Sequence, residues 1–267
     1  MLTESDIQRF LGIDFANVGI ERVALELELL SQRAPLSFVV TPNVDHVILL
    51  HKENSDIAEL FREACATASI RLCDSRVLKL LARSSGIDLG VVTGSDLTAY
   101  LFKRGYLDGK TVALIGGDAA MQKELSLRYP TVGIVQHIPP MGVLNNPDAI
   151  NEIQDFLANT HAQYALFAIG APQSEIIVHK CQAAARSKGV ALCIGASIEF
   201  LLGRKPRAPI WLQRLSLEWL FRLLSEPRRL ARRYLVVAPR IFLIVWNFRR
   251  RQDLMIARNS SGEVSDG

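Results

Sequence analysis

The sequence predicts an α/β fold: a Rossmann-like parallel sheet flanked by helices, with a basic helical appendage at its C-terminal end. Two observations predict it. Three times an apolar strand candidate ends in glycine and runs at once into a helical segment, the alternation that builds a parallel sheet covered on both faces. Past Gly203 the composition changes abruptly from mixed to strongly basic.

The elements follow in chain order. Residues Ile20–Leu30 carry apolar side chains at helical spacing among good helix formers. Leu36–Val40 reads as a buried strand closed by Thr41-Pro42-Asn43, and Asn43 suits the N-cap of a following helix. Ile70–Cys73 is a short strand candidate, after which Asp74-Ser75 can cap a helix over Val77–Ala82. The clearer units are Thr111–Ile115 running into Gly116-Gly117, Tyr164–Ile169 running into Gly170 and a helix near Gln173, and Val190–Ile194 running into Gly195 and Ser197–Leu202. In such sheets ligands bind at the carboxyl ends of the strands, where glycine lets a backbone approach phosphate. The expected organisation is a catalytic α/β domain over 1–203, a basic appendage over 204–251 and a polar, disordered tail over 252–267.

From Arg204 to Arg251 thirteen Lys or Arg face only Glu218 and Glu226, so that window is +11 and the remainder of a +4 chain is −7. One basic end on an acidic body points to an anionic partner surface. Cys65, Cys73, Cys181 and Cys193 lack metal-site spacing and read as reduced core residues. The first residues show no basic stretch followed by an apolar run, so no signal peptide is expected. No segment reaches about 18 uninterrupted apolar residues, and a cytoplasmic protein is expected.

Several residues invite two readings. Gly116-Gly117-Asp118 is either a tight strand-to-helix turn or a phosphate contact; GxGxxG and GxxxxGK[ST] patterns are absent. Asp74 either caps the helix it precedes or, at a strand's carboxyl end, serves as a base. A cap would hold the carboxylate charged and weaken it as a base. The sequence has no DxD, HxxxH or HExxH, and its five histidines are scattered, so no metal and no cofactor are expected. A diphosphate would then be met by Arg, Lys and backbone N–H groups. The basic end reads as a solvated face, a nucleic-acid patch or a membrane-associating segment. The run Tyr234–Phe248, apolar and aromatic but broken by Pro239-Arg240 and closed by Arg249–Arg251, favours the last, lying in the headgroup layer of an anionic leaflet. No nucleic-acid partner is expected, and packing on a second copy in a homo-oligomer is the alternative use of that apolar surface.

The ordered set Thr41-Pro42-Asn43, Cys73-Asp74, Val92–Leu97, Ile169–Glu175, Gly195-Ala196-Ser197, Lys205–Pro209, Leu217–Leu223 and Glu226–Arg229 resembles the WecG/TagA/CpsF family of bacterial glycosyltransferases. The resemblance covers about residues 11–248, and the Arg207-Ala208-Pro209, Leu217-Glu218-Trp219 and Glu226-Pro227-Arg228 segments are its most specific part. It implies an inverting transfer of a hexose-type sugar from a UDP-sugar donor. The acceptor implied is a sugar on an undecaprenyl-diphosphate lipid, and the setting is cell-surface polysaccharide synthesis at the inner face of the plasma membrane.

By motif, Asp74 falls on the family's catalytic base, and Thr41 and Asn43 on pocket residues beside it, with Thr41 assigned a catalytic part. Gln173 and Glu175 fall on the motif lining the nucleotide-sugar cleft. Arg207, Arg214 and Arg222 fall on the appendage that closes over the site. Thr93, Gly94, Gly195 and Glu199 lie in matching motifs and join Gly116 and Gly117 as expected donor or acceptor contacts. The chain departs from the family with Ser75 after the aspartate, Val91 where a basic residue is common, and Glu199 in place of Asp. Arg76 is expected to supply the missing cation. The competing classes are a nicotinamide-dependent oxidoreductase, which would need a fuller glycine fingerprint, and a non-catalytic membrane-surface module, which would leave the strand-end motifs unexplained.

Overall fold

Strands that are apolar at every position can be satisfied only by covering both faces of their sheet, and the structure does so. The computed structural model describes residues 2–209, 211–212 and 215–262. Among them the chain opens with a hairpin, β1 (Ile7–Phe10) and β2 (Ile13–Ala16), followed by α1 (Ile20–Leu30). Next come β3 (Ser37–Val40), α2 (Val44–Leu50), α3 (Asp56–Thr67), β4 (Ile70–Arg71), α4 (Arg76–Arg83) and α5 (Gly94–Lys103). The second half supplies β5 (Thr111–Gly116), α6 (Met121–Arg128), β6 (Gly133–His137), α7 (Pro147–Thr160), β7 (Tyr164–Ala168), α8 (Gln173–Ala183), β8 (Val190–Cys193) and α9 (Ser197–Leu201). The strands β3 to β8 form one parallel sheet in the order β4-β3-β8-β7-β5-β6.

The period-two alternation of a strand sends successive residues to opposite cores. Val39, Val112, Leu114, Leu166 and Leu192 face α1, α5, α6 and α9 through Leu27, Leu97, Leu125 and Ile198. Their neighbours Phe38, Val40, Ala113, Ile115, Phe167 and Cys193 face α3, α7 and α8 through Phe61, Ile153 and Ile177. The four cysteines are buried free thiols. Two elements are not apparent in the apolar pattern: the hairpin, and the edge strand β6, whose outer half carries Gln136 and His137.

The appendage comprises α10 (Glu218–Ser225), α11 (Pro227–Arg232), a π-helical turn (Arg233–Val237) and α12 (Arg240–Gly262). The composition after Gln252 suggests a disordered tail, but α12 continues through it to Gly262. Leu254, Met255, Ala257 and Arg258 are good helix formers and supply the reason. Residues 263–267 lie outside the described residues. The apolar run over Tyr234–Phe248 divides between two environments. Ile241 and Val245 are 2% and 4% exposed and join a third core with Phe10, Phe15 and Leu78, while Phe248 meets the Phe10 ring edge-on at 5.5 Å. Phe242, Leu243 and Trp246, on the remaining face of the same helix, are exposed. Arg249 donates to the Ser84 and Ser85 hydroxyls at the end of α4, and Arg233 pairs with Asp45 of α2. Among the described residues no helix is long and apolar enough to cross a membrane.

This docking makes a prediction. Phe10→Ala should cost about 3–5 kcal/mol, as truncation of a buried Phe does, and should expose α12 to limited proteolysis before the body is cut. Unchanged stability and an uncut body-first pattern would show that α12 is not seated on the hairpin.

Candidate active site

The carboxyl ends of β4 and β3 and the appendage enclose a cavity of about 310 Å³. The body contributes Asn43, Asp74, Arg76 and Thr93, and the appendage contributes Glu218, Trp219, Arg222, Arg233, Tyr234 and Phe242. Each body residue is set by local structure. Asn43 caps α2, its Oδ1 accepting from the N–H groups of Asp45 at 3.0 Å and His46 at 3.4 Å. Thr93 caps α5 by accepting from the Asp96 N–H at 3.0 Å and donates its hydroxyl to the Asp96 carboxylate at 2.8 Å.

At Asp74 the two readings separate. The cap of α4 is Ser75, whose Oγ accepts from the Leu78 N–H at 3.2 Å, so the Asp74 side chain is released from that duty. The Asp74 N–H donates to the Pro42 carbonyl at 3.0 Å, which fixes the residue beside the β3 turn and leaves its carboxyl facing the cavity. Burial pushes that carboxyl up to about 7, opposed by the nearby Arg222 guanidinium. Glu218 raises it further, the Gly94 N–H donating to it lowers it, and Asp96 raises it. The appendage therefore supplies Arg222 and Glu218, the two charges that act on it most strongly. Arg222 in turn donates to Glu218 at 2.6 Å, one helical turn away, and lies over the Phe200 ring at 5.3 Å.

The structure brings together Asn43, Asp74, Arg76, Thr93 and Arg222 around this cavity. Gly94 joins them through its N–H, which donates to the Asp74 carboxyl, and the remaining expected residues lie elsewhere. Thr41 is 8% exposed and donates to the Cys193 carbonyl at 3.3 Å, a tie between the ends of β3 and β8 that turns its hydroxyl away from the cavity. Gly94 is buried beneath it, where a Cβ would come 3.4 Å from the Thr41 hydroxyl. Gly195, Gln173 and the Gly116-Gly117 pair stand farther along the carboxyl edge, at the ends of β8, β7 and β5. The glycine pair is explained by the turn: both residues have positive φ, +96° and +77°, and a Cβ on Gly116 would lie 2.6 Å from the Ile169 side chain and 3.0 Å from the Ala168 carbonyl. Glu199 is tied to Lys205 at 2.6 Å, and Arg207 to Asp96 at 2.8 Å, so both brace the linker into the appendage. Arg214 lies outside the described residues.

Glu175 departs most from expectation. It is 3% exposed and faces His46 beneath the cavity wall, not the cavity itself. Burial pushes its carboxyl up to about 7 and pushes His46 down to about 4, with Arg233 lowering the latter further. Glu218, Trp219, Arg233 and Tyr234 are cavity residues that sequence reasoning left unassigned. The signal for Glu218 was its four-residue spacing from Arg222, which places both on one helix face.

The raised carboxyls set the sign of a stability prediction. An unfolded aspartate ionises near about 3.9, whereas Asp74 keeps its proton up to about 7. Stability present below about pH 4 is therefore lost as the pH rises through about 7. Asp74→Asn, which cannot ionise, should raise the melting temperature relative to wild type more at pH 8 than at pH 4, at about 2–4 °C per kcal/mol relieved. An equal difference at both pH values would place that carboxyl in water.

Body and appendage together are what the comparison with known proteins matches. The family model described as Glycosyl transferase WecG/TagA/CpsF family matches residues 8–254, from β1 into α12. The chain belongs to the WecG/TagA/CpsF family of glycosyltransferases, whose role is in surface-polysaccharide synthesis.

Proposed function

We propose that this glycosyltransferase moves a hexose-type sugar from a UDP-sugar to a sugar on an undecaprenyl-diphosphate lipid, with inversion and with Asp74 as the base. The observation that carries the reading is the Asp74 carboxyl itself: uncapped, inside a cavity, and held near about 7. A base poised close to the working pH transfers protons best. In the proposed step an acceptor hydroxyl oxygen attacks the anomeric carbon from the face opposite the nucleotide. Its proton passes to Asp74, and the bond between the anomeric carbon and the diphosphate oxygen breaks with its electron pair leaving on UDP. The single displacement inverts the centre and leaves no sugar on the enzyme.

The cations that line the cavity, Arg76, Arg222 and Arg233, suit it to phosphate-bearing substrates without a metal ion. The nucleotide is proposed to run along the carboxyl edge past Gly195 and Gln173, with the acceptor entering beneath the appendage. Exposed Leu235, Val236, Leu243 and Trp246 form an outward apolar face beside Arg240 and Arg250, the composition of a helix resting in a headgroup layer. Each basic residue at such a surface contributes on the order of 1 kcal/mol. A peripheral position on the cytoplasmic leaflet follows, where lipid-linked acceptors and UDP-sugars meet.

Two measurements test this reading. A transfer assay in EDTA, with UDP-hexoses and a short-chain lipid diphosphate sugar, should show Asp74→Asn losing about 10²- to 10⁴-fold in turnover with donor affinity kept. Unimpaired transfer by that variant, or a strict requirement for added Mg²⁺, would contradict the mechanism. In co-sedimentation with phosphatidylglycerol vesicles, the joint change Leu243→Glu and Trp246→Glu should abolish binding without altering the melting temperature. Binding equal to wild type would remove the membrane assignment.

A further inference from the structure

The cavity changes character from one side to the other. Its body side is polar, with Asp74, Arg76, Thr93 and Asn43. The Asn43 N–H donates to His46 Nδ1 at 3.0 Å, completing a capping box in which histidine stands where Glu or Gln is usual. Arg222 is paired with Glu218 and Arg233 with Asp45, whereas Arg76 makes no ion pair among the described residues. The appendage side is aromatic and apolar: Trp219 meets Tyr234 edge-on at 6.1 Å, and Ala238, Pro239, Ile241 and Phe242 continue the wall. Among the described lining residues the exposed ones are Pro239 and Phe242, three apart where the chain enters α12, so they mark the mouth. Phe242 is 60% exposed, and Leu243 and Trp246 lie next to it and one helical turn beyond it, on the outward apolar face.

A polar, cationic chamber that opens through an apolar mouth onto an apolar surface fits an amphiphile with an anionic head and a hydrocarbon tail. A nucleotide sugar is polar from end to end. Lodged here, it would lie across a mouth where neither Pro239 nor Phe242 offers its polar groups a side-chain partner. At about 310 Å³ the cavity is also at the low end for ligand sites, with room for the head of one substrate and not for two. We infer that this cavity is the subsite of the acceptor lipid, whose diphosphate lies against Arg76 and whose first isoprene units cross Pro239 and Phe242 on the way to the leaflet. Phe242 is then a specificity-determining residue, selecting a head group that carries a prenyl tail. The inference rests on the proposed function in taking the acceptor to be a prenyl diphosphate.

The test is calorimetric titration of the full chain, without vesicles or detergent, with geranyl diphosphate, inorganic diphosphate and UDP. Wild type should bind geranyl diphosphate at one site and at least about tenfold tighter than inorganic diphosphate, and UDP should not displace it. Phe242→Ser should lose about tenfold in affinity for geranyl diphosphate, the worth of part of an apolar tail buried on one ring, and keep that for inorganic diphosphate. Arg76→Gln should weaken both diphosphates. The joint change Leu243→Glu and Trp246→Glu, directed at the outward face alone, should leave geranyl diphosphate binding as in wild type. Equal wild-type affinity for the two diphosphates, an unchanged preference in Phe242→Ser, or wild-type affinities in Arg76→Gln would overturn the inference. Displacement by UDP would give the cavity to the nucleotide, and loss of binding in the Leu243 and Trp246 double variant would put the tail on the outer face; either result overturns it too. No donor sugar and no transfer step enters these titrations, so their failure is separate from a failure of Asp74 as the base, which the transfer assay reads.

Discussion

The hydrogen bond from the Leu78 N–H to Ser75 Oγ governs what the rest of the site can do. A helix beginning at Arg76 needs an acceptor near its first turn, and two adjacent side chains could supply it. Because Ser75 does, Asp74 is relieved of the α4 cap, and the main-chain donor left on its carboxyl is the Gly94 N–H at the start of α5. The same aspartate is pinned through its main chain to the Pro42 carbonyl, so its freedom is confined to the side chain and to the cavity. Ser75 is thus the residue that relieves the neighbouring carboxyl of the α4 cap.

What remains is to keep water away from that carboxyl, and this falls to the appendage. Its α10 carries Glu218 and Arg222 on one face, and these oppose each other in their effect on Asp74. The appendage is held by Arg233 on Asp45, by Arg249 on the α4 terminus, and by Ile241, Val245 and Phe248 on the hairpin. One face of α12 therefore seals the cavity region against the body while the other remains exposed and apolar.

Much of this was legible in the chain. The three strand-glycine-helix units predicted the parallel sheet because strands buried on both faces must be apolar throughout, and nothing else in the sequence mimics that pattern. The hairpin and β6 were not legible, since edge strands can carry polar residues and lose the signal. Asp74, Asn43, Arg76, Thr93 and Arg222, singled out in the sequence, line one cavity together. Thr41 and Glu175 were read as lining the site, because a motif reports that residues belong together and not which way each side chain turns. Thr41 points to a carbonyl of β8 and Glu175 to a histidine. His46 escaped notice because a capping box is sought as an Asn-x-x-Glu pattern, and an imidazole acceptor does the same work. The glycines of the β5 turn were read as phosphate contacts or turn residues, and their positive φ with the close approach of the Ala168 main chain favours the second.

A desolvated carboxyl acted on by a guanidinium and by a second carboxylate is the physical core of the account. The most direct measurement is the titration of the Asp74 ¹³Cγ resonance in the intact chain. Closure by the appendage predicts a midpoint at about 7. A midpoint near about 4, the ordinary carboxylate range, would show the side chain in water and would contradict its assignment as a base shaped by the appendage.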